Sequence, residues 1–356
     1  MTEPRASLEP TVLSHRGGGL GRITLNRPRA INALDLDMIE QMARILDEWE
    51  HDPDVGLVVL DGAGDRGLCA GGDVRSLYDQ ITAGNAPDTA AFFRAEYALN
   101  ARIAEYPKTI LALADGITMG GGIGLAGHAA IRIVTERSKL AMPETRIGFT
   151  PDVGGTWLLG RAPGRIGEYL GVTGAVMDAA DAVYAGFADH VVPSARLDAL
   201  REALATRADP PSPTGIVLLF DETPGPSRLA AARPWIDDAF AADTVPEVIE
   251  RLRARPEPEA AAALDLMADL SPTGMAVTLE AVRRARDLPD LRADLAQEYR
   301  LVMWFGQTQP DLVEGIRAQL VDKDRTPAWT PATSAQVSRD TVASAFTHAP
   351  AVPLWD

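Results

Sequence analysis

Thr109-Ile110-Leu111-Ala112-Leu113-Ala114-Asp115-Gly116-Ile117-Thr118-Met119-Gly120-Gly121-Gly122-Ile123-Gly124-Leu125-Ala126 runs from an apolar segment through a glycine-rich turn into what reads as a helix start. Residues 109–114 have the continuous apolar character of a strand buried on both faces. Residues 55–61 repeat that character, and Gly67-Leu68-Cys69-Ala70-Gly71-Gly72-Asp73-Val74 comes next as an earlier glycine-rich turn, then a helical, aromatic-bearing stretch at 89–106. Strands alternating with helices argue for crossover units and an α/β fold. Glycine lets backbone come close to a ligand. Amides at a helix start favour negative charge, so two such turns converging on one carbonyl oxygen would form an oxyanion hole.

A third stretch, Met142-Pro143-Glu144-Thr145-Arg146-Ile147-Gly148-Phe149-Thr150-Pro151-Asp152-Val153-Gly154-Gly155, carries two carboxyl groups, Glu144 and Asp152, on a segment that its prolines and glycines keep from forming a long helix or strand. Alone it reads as a loop with two solvated acids; beside an oxyanion hole it reads as an acid/base pair. Elsewhere, residues 11–15 and 22–25 read as a hairpin around Gly17–Gly21. Asp35 caps a helix through about Trp49, and 131–135 is a further strand. Helices at 156–159, 164–171 and 179–185 lead to a strand at 189–192 and a helix at 195–205. Pro210-Pro211-Ser212-Pro213 ends the alternation. Beyond it the chain reads as helices at 234–241, 246–254, 257–270, 272–287, 291–305 and 311–320. This divides the chain into a core, 1–208, and a mainly helical C-terminal region, 209–356.

The chain has 356 residues, 46% hydrophobic and 24% charged, and a formal charge of −16. That charge argues against nucleic acid and anionic lipid as partners. No apolar run approaches the length of a membrane span. Cys69 is the only cysteine, which excludes an internal disulfide and a cysteine zinc site. It reads as a small buried residue, not a nucleophile. The five histidines form no His-x-x-x-His pair, so no metal is expected; His128 reads as a packed helix residue. No Gly-x-Ser-x-Gly elbow or Walker motif is present. The acidic N-terminal stretch resembles neither a secretory signal nor an organelle transit peptide, and the cytoplasm is the expected compartment.

As a set, Asn26-Arg27-Pro28-Arg29-Ala30-Ile31-Asn32-Ala33-Leu34, Cys69-Ala70-Gly71-Gly72-Asp73, Met119-Gly120-Gly121-Gly122 and Pro143-Glu144 resemble the crotonase (enoyl-CoA hydratase/isomerase) superfamily. The resemblance implies a spiral of ββα turns, an acyl-CoA substrate with no separate cofactor, and an oxyanion hole from the Gly72 and Gly121 N–H groups. It also implies that Arg27 and Arg29 meet the CoA phosphates, and it leaves a homo-oligomer open.

Within that superfamily the departures are informative. Hydratases typically carry two catalytic glutamates; Glu144 matches one, but the other position is Gly124. Asp152 stands where hydratases usually have glycine. Dienoyl-CoA isomerases match Asp152 but also need an acid at 124. Gly124, Glu144 and Asp152 together resemble the 3-hydroxyisobutyryl-CoA hydrolase branch, as do Phe92-Phe93-Arg94-Ala95-Glu96-Tyr97, Glu298-Tyr299-Arg300, Glu314-Gly315-Ile316-Arg317-Ala318 and Asp322-Lys323-Asp324-Arg325-Thr326-Pro327. The implied activity is hydrolysis of a short branched β-hydroxyacyl-CoA in valine breakdown. The resemblance further implies Glu144 as general base or nucleophile, Asp152 as an assisting group, and Glu96 as a contact for the substrate hydroxyl. The C-terminal helices complete or cover the acyl-CoA site. The alternatives are a hydratase or isomerase, and a non-catalytic acyl-CoA-binding protein on the same fold.

Overall fold

The computed structural model describes residues 10–206 and 212–355. Strands β1 (Val12–Gly17) and β2 (Leu20–Leu25) form an antiparallel hairpin that turns on Gly18 and Gly19 alone, tighter than the five-residue loop expected. Helix α1 (Leu36–Glu50) comes next, its first turn capped by Asp35, whose side chain accepts the Met38 N–H. Burial of Met38, Ile39, Met42, Leu46 and Trp49 fixes its inner face.

Then come β3 (Leu57–Gly62), β4 (Gly67–Cys69), α2 (Val74–Thr82) and α3 (Ala86–Ala104). The next turn of chain is β5 (Thr109–Ala114), β6 (Ile117–Met119) and α4 (Gly121–Ala126). It is followed by β7 (Ile131–Val134), β8 (Lys139–Ala141) and a short 3-10 turn at Glu144–Ile147. Helices α5 (Gly155–Arg161), α6 (Ile166–Thr173) and α7 (Ala179–Ala185) lead to β9 (His190–Val191) and α8 (Leu197–Thr206). The strands sort into two sheets, β1-β2-β3-β5-β7-β9 and β4-β6-β8. From β2 onward neighbours in the large sheet are parallel, as are all those in the small one. Each turn of chain thus adds one strand to each sheet, which is the spiral of ββα turns that the sequence resemblance implies.

The large sheet is covered on both faces, as its sequence requires. Val58 and Leu60 of β3 join the main core, while Leu57 and Val59 join a second cluster with Leu111, Leu113, Ile131 and Ile133. Alternate side chains leave a strand on opposite faces, and burying each is worth about 1.5–3 kcal/mol. Leu197, Leu200 and Leu204 of α8 cover the second face, together with Ile216 and Val217 of α9 (Pro213–Leu218). The boundary expected at 208/209 lies within 207–211, outside the described residues.

The C-terminal region is helical: α10 (Arg228–Phe240), α11 (Val245–Arg253), α12 (Pro258–Met267), α13 (Pro272–Ala285), α14 (Leu291–Thr308), α15 (Asp311–Ile316) and α16 (Arg339–Thr347). One boundary is corrected. Helix α10 does not begin at Pro234 but at Arg228, capped by Ser227, and passes through the proline. Proline there removes one helix hydrogen bond. Tertiary packing overrides it: Leu229, Trp235, Ile236 and Phe240 are buried, and Trp235 and Phe240 meet the Tyr169 ring edge-on. Among the described residues no helix is long and apolar enough to cross a membrane.

Helix α15 presses on the 3-10 turn that carries Glu144. A Cβ added at Gly315 would lie 2.3 Å from the Ile147 carbonyl carbon, and one at Gly148 would lie 2.1 Å from the Asp311 carbonyl oxygen. Two backbones in contact leave no room for adjustment. Gly315→Val is therefore expected to cost about 1–3 kcal/mol of stability, read as a lower midpoint in chemical denaturation; an unchanged midpoint would show that α15 is free to move away.

Candidate active site

The small sheet builds the site. Its three parallel strands end side by side, delivering Gly71-Gly72 after β4, Gly120-Gly121 after β6 and Pro143-Glu144 after β8. The Gly120 N–H donates to the Ala141 carbonyl, so the second and third of these exits are tied directly. Gly71 (φ 110°) and Gly120 (φ 49°) adopt left-handed conformations that strongly favour glycine, and each turns the peptide that comes after it. The two amides come together: a Cβ added at Gly121 would lie 3.3 Å from Gly72 N, and one at Gly71 3.6 Å from Gly121 N. Among the described residues neither the Gly72 nor the Gly121 N–H donates a hydrogen bond.

Around this amide pair lies a cavity of about 190 Å³ lined by Gly72, Gly121, Glu96, Glu144 and Asp152, with Phe92, Phe93 and Phe149 forming apolar wall. Leu320, from the C-terminal region, reaches it as well. Glu144 Oε1 stands 3.0 Å from where a Gly120 Cβ would be, and Glu96 Oε1 stands 2.6 Å from a Gly121 Cβ. Both acids are buried, and Glu96 Oε1 and Glu144 Oε2 have no partner among the described residues. Asp152 is buried too, but its Oδ2 accepts the Tyr97 hydroxyl at 2.8 Å.

Three carboxyl groups share one small volume, and all three are held above the ordinary carboxylate range. Burial, then the charge of Asp152, lifts both Glu144 and Glu96 well above the ordinary carboxylate range. Burial also pushes Asp152 up, to about 7, with the Tyr97 hydroxyl pulling the other way by stabilising the charged form. Buried carboxyl groups this close together disfavour full ionisation of all three, so the cavity can hold carboxylate and carboxylic acid side by side. It can supply a base, a nucleophile and a proton donor beside two free amides.

The segment carrying Asp152 is strained. Val153 adopts φ 55°, a left-handed conformation that costs a β-branched residue about 1–2 kcal/mol. Its carbonyl meets the His128 Nε2 at 2.8 Å. Burial lowers the His128 pKa to about 4, and the residue lies in the turn after α4, not on a helix as expected, and outside the cavity lining. Cys69 is fully buried and its thiol is pushed up to about 12, so it is no nucleophile.

Five of the six expected site residues line this cavity; Arg29 does not. Arg29 is exposed on the turn after β2, while Arg27 is engaged by Asp73 and Asp35 at 3.1 and 3.3 Å. Position 124 is closed. A Cβ there would meet Val153 Cβ at 2.7 Å and Asn100 Nδ2 at 2.8 Å, so the second hydratase glutamate is absent and has no space. Tyr97 and Leu320 received no role from the sequence. Tyr97 sits beside Glu96 in a stretch already singled out, but only the folded helix shows that it reaches Asp152.

The enoyl-CoA hydratase/isomerase family model matches residues 20–346. The chain belongs to that family. Among its relatives, the 3-hydroxyisobutyryl-CoA hydrolase of Rattus norvegicus, described as mitochondrial, is 39% identical over 343 residues, covering 94% of this chain and 88% of that one. The 3-hydroxyisobutyryl-CoA hydrolase 1 of Arabidopsis thaliana is 40% identical over 319 residues, 87% of this chain and 84% of its own. A crystal structure described as a carnitinyl-CoA dehydratase from Mycobacterium thermoresistibile superposes with a TM-score of 0.91 at 46% identity, covering 96% of this chain and 97% of that one. Relatives that match most of this chain are thus named for two different chemistries.

Two outcomes are expected. In Tyr97→Phe the Asp152 carboxyl loses the donor that favours its charged form, so its titration, followed by carbon NMR of labelled aspartate, should move upward from about 7. Gly124→Glu should destabilise the fold by about 1–3 kcal/mol or more and bring no gain in crotonyl-CoA hydration.

Proposed function

We propose that this chain hydrolyses a short branched β-hydroxyacyl-CoA thioester, 3-hydroxyisobutyryl-CoA, to the free acid and CoA, as in valine breakdown. One observation carries the proposal: two free amides and three buried acids converge on one cavity, while the position that would complete a hydratase is sterically closed. Relatives described as 3-hydroxyisobutyryl-CoA hydrolases, aligned over 94% of this chain, support it.

The thioester oxygen sits between the Gly72 and Gly121 N–H groups, which hold the negative charge that develops when the carbonyl carbon is attacked. Glu144, beside Gly120, either takes a proton from the attacking water or attacks itself to give a mixed anhydride that water then opens. The carbon–sulfur bond breaks, and the thiolate leaves with a proton supplied by the carboxyl cluster. Asp152 is poised to share that proton, to assist the thiol, or to orient the substrate; Glu96 hydrogen-bonds the β-hydroxyl. Arg29 stays a proposed contact for the CoA phosphates, outside the acyl cavity. The cytoplasmic placement belongs to the proposal too, beside a rat relative described as mitochondrial.

The second reading is hydration or dehydration of a double bond, which the Mycobacterium thermoresistibile structure's description favours. Free-thiol release from 3-hydroxyisobutyryl-CoA decides between them. Glu144→Gln and Asp152→Asn should each lower the rate of thiol release by about 10²–10⁴-fold. Water addition to crotonyl-CoA in the absence of thiol release would overturn hydrolysis in favour of the second reading, and tight binding of the CoA ester without turnover would make the chain a binding protein.

A further inference from the structure

Helix α5 begins one residue after Gly154, its capping position, which has no side chain to offer (φ 76°). None fits: a Cβ at Gly154 would meet His128 Nε2 at 2.3 Å and Leu291 Cδ1 at 2.8 Å. Of the amides that open this helix, the Gly155 N–H donates to the Asp152 carbonyl at 2.7 Å, and those of Gly154 and Thr156 are satisfied from outside the segment. They are met by Glu298 of α14, 144 residues away: its Oε2 accepts the Gly154 N–H at 2.6 Å and its Oε1 the Thr156 N–H at 2.8 Å. The Thr156 hydroxyl lies 2.7 Å from Glu298 Oε1 and 3.0 Å from both oxygens of Asp294, one turn earlier on α14. Glu298 and Asp294 are fully buried. Burial lifts both carboxyls above the ordinary range, Asp294 to about 6.

Three successive residues are thus held by three different elements: Asp152 by Tyr97 of α3, Val153 by His128 beyond α4, and Gly154 by Glu298 of α14. The Tyr299 ring on α14 also meets the Tyr97 ring edge-on, with centroids 6.4 Å apart, so α14 buttresses both ends of the Tyr97–Asp152 bond. Two buried acids are a costly way to cap a seven-residue helix. A local serine or aspartate would do it more cheaply, but only with a side chain that the His128 contact excludes.

We propose that Glu298 is a positioning residue for the reaction: by receiving the amides of Gly154 and Thr156 it fixes the strained turn at Val153 and so aims the Asp152 carboxyl into the cavity. It touches no substrate and acts only through Asp152. The proposal rests on the hydrolase reading for its activity assay, and not for its structural one.

The test is a double-variant cycle with an exchange measurement. Glu298→Gln keeps volume and packing but presents only one acceptor, leaving one of the two amides unpaired. With 3-hydroxyisobutyryl-CoA, kcat per folded enzyme should fall about ten- to a hundredfold while KM stays within about threefold, since small misplacements of a reacting group cost about this much. In an Asp152→Asn background, followed by single turnover, Glu298→Gln should add no further loss. Amide hydrogen exchange across residues 149–158 should speed up in Glu298→Gln by more than it does in the central strands β3 and β5 of the same variant. Equal losses of rate in both backgrounds would show a merely structural role and overturn the proposal, as would unchanged kcat with unchanged exchange. Exchange needs no substrate, so a wild-type chain that releases no thiol while its exchange responds would sink the hydrolase reading and leave Glu298 as the anchor of this turn.

Discussion

The hydrogen-bond register of three very short parallel strands governs the site. β4, β6 and β8 have three residues each, and β6 pairs with both of the others. Because the strands are parallel, their C-terminal ends open on the same side, and the segments leaving them are brought to one place. Those segments are a glycine pair, another glycine pair and a proline–glutamate step. The bridge between Leu34 and Gly72 locks the first exit from the side: Leu34 N–H donates to Gly71 O, and Asp73 N–H to Leu34 O. Donors made of backbone in this way persist through side-chain substitution, whereas the acids around them come from a helix, a 3-10 turn and a loop.

Those acids set the energetic character of the cavity. A carboxyl buried without a cation is lifted in pKa, and the lift is a cost to the folded state wherever the unfolded chain would ionise more readily. For Asp152, with about 7 in the fold against 3.8 unperturbed, the cost sets in as pH rises from about 4 and is complete above about 7. The fold carries this load because the clusters beneath it are large and dry, with Leu25, Leu34, Met38 and Tyr97 essentially without solvent contact. Reactivity in the cavity and stability in the layers around it are held by different residues.

Much of this is legible in the sequence, for reasons of length and chemistry. Residues 109–114 read as a strand to the residue because a β-branched threonine and five apolar positions in a row before a turn signal admit few alternatives. The Asp35 cap and the face of α1 come from helical periodicity. β6 and β8 escape such a reading: three residues are too few to show a period. Helix α2 escapes it because it begins inside the glycine turn, and α9 because it starts within the proline-rich break. The amide pair and the acids at 96, 144 and 152 are visible through motifs. The partners that hold them, Tyr97 and Glu298, lie 55 and 144 residues from their targets, and no local pattern records such a pairing.

The crowding at Gly124 bears on how such a chain can change its chemistry. A first carbon at that position already collides with Val153 and with Asn100, and Asn100 is itself buried with its amide unpartnered among the described residues. Acquiring an acid there needs both neighbours to shrink first, and neither contraction brings any benefit before the acid arrives. Each intermediate would instead carry a void in a close-packed interior. Single-step acquisition of an acid at position 124 is therefore uphill from this chain, because its close-packed neighbours must give way before anything is gained.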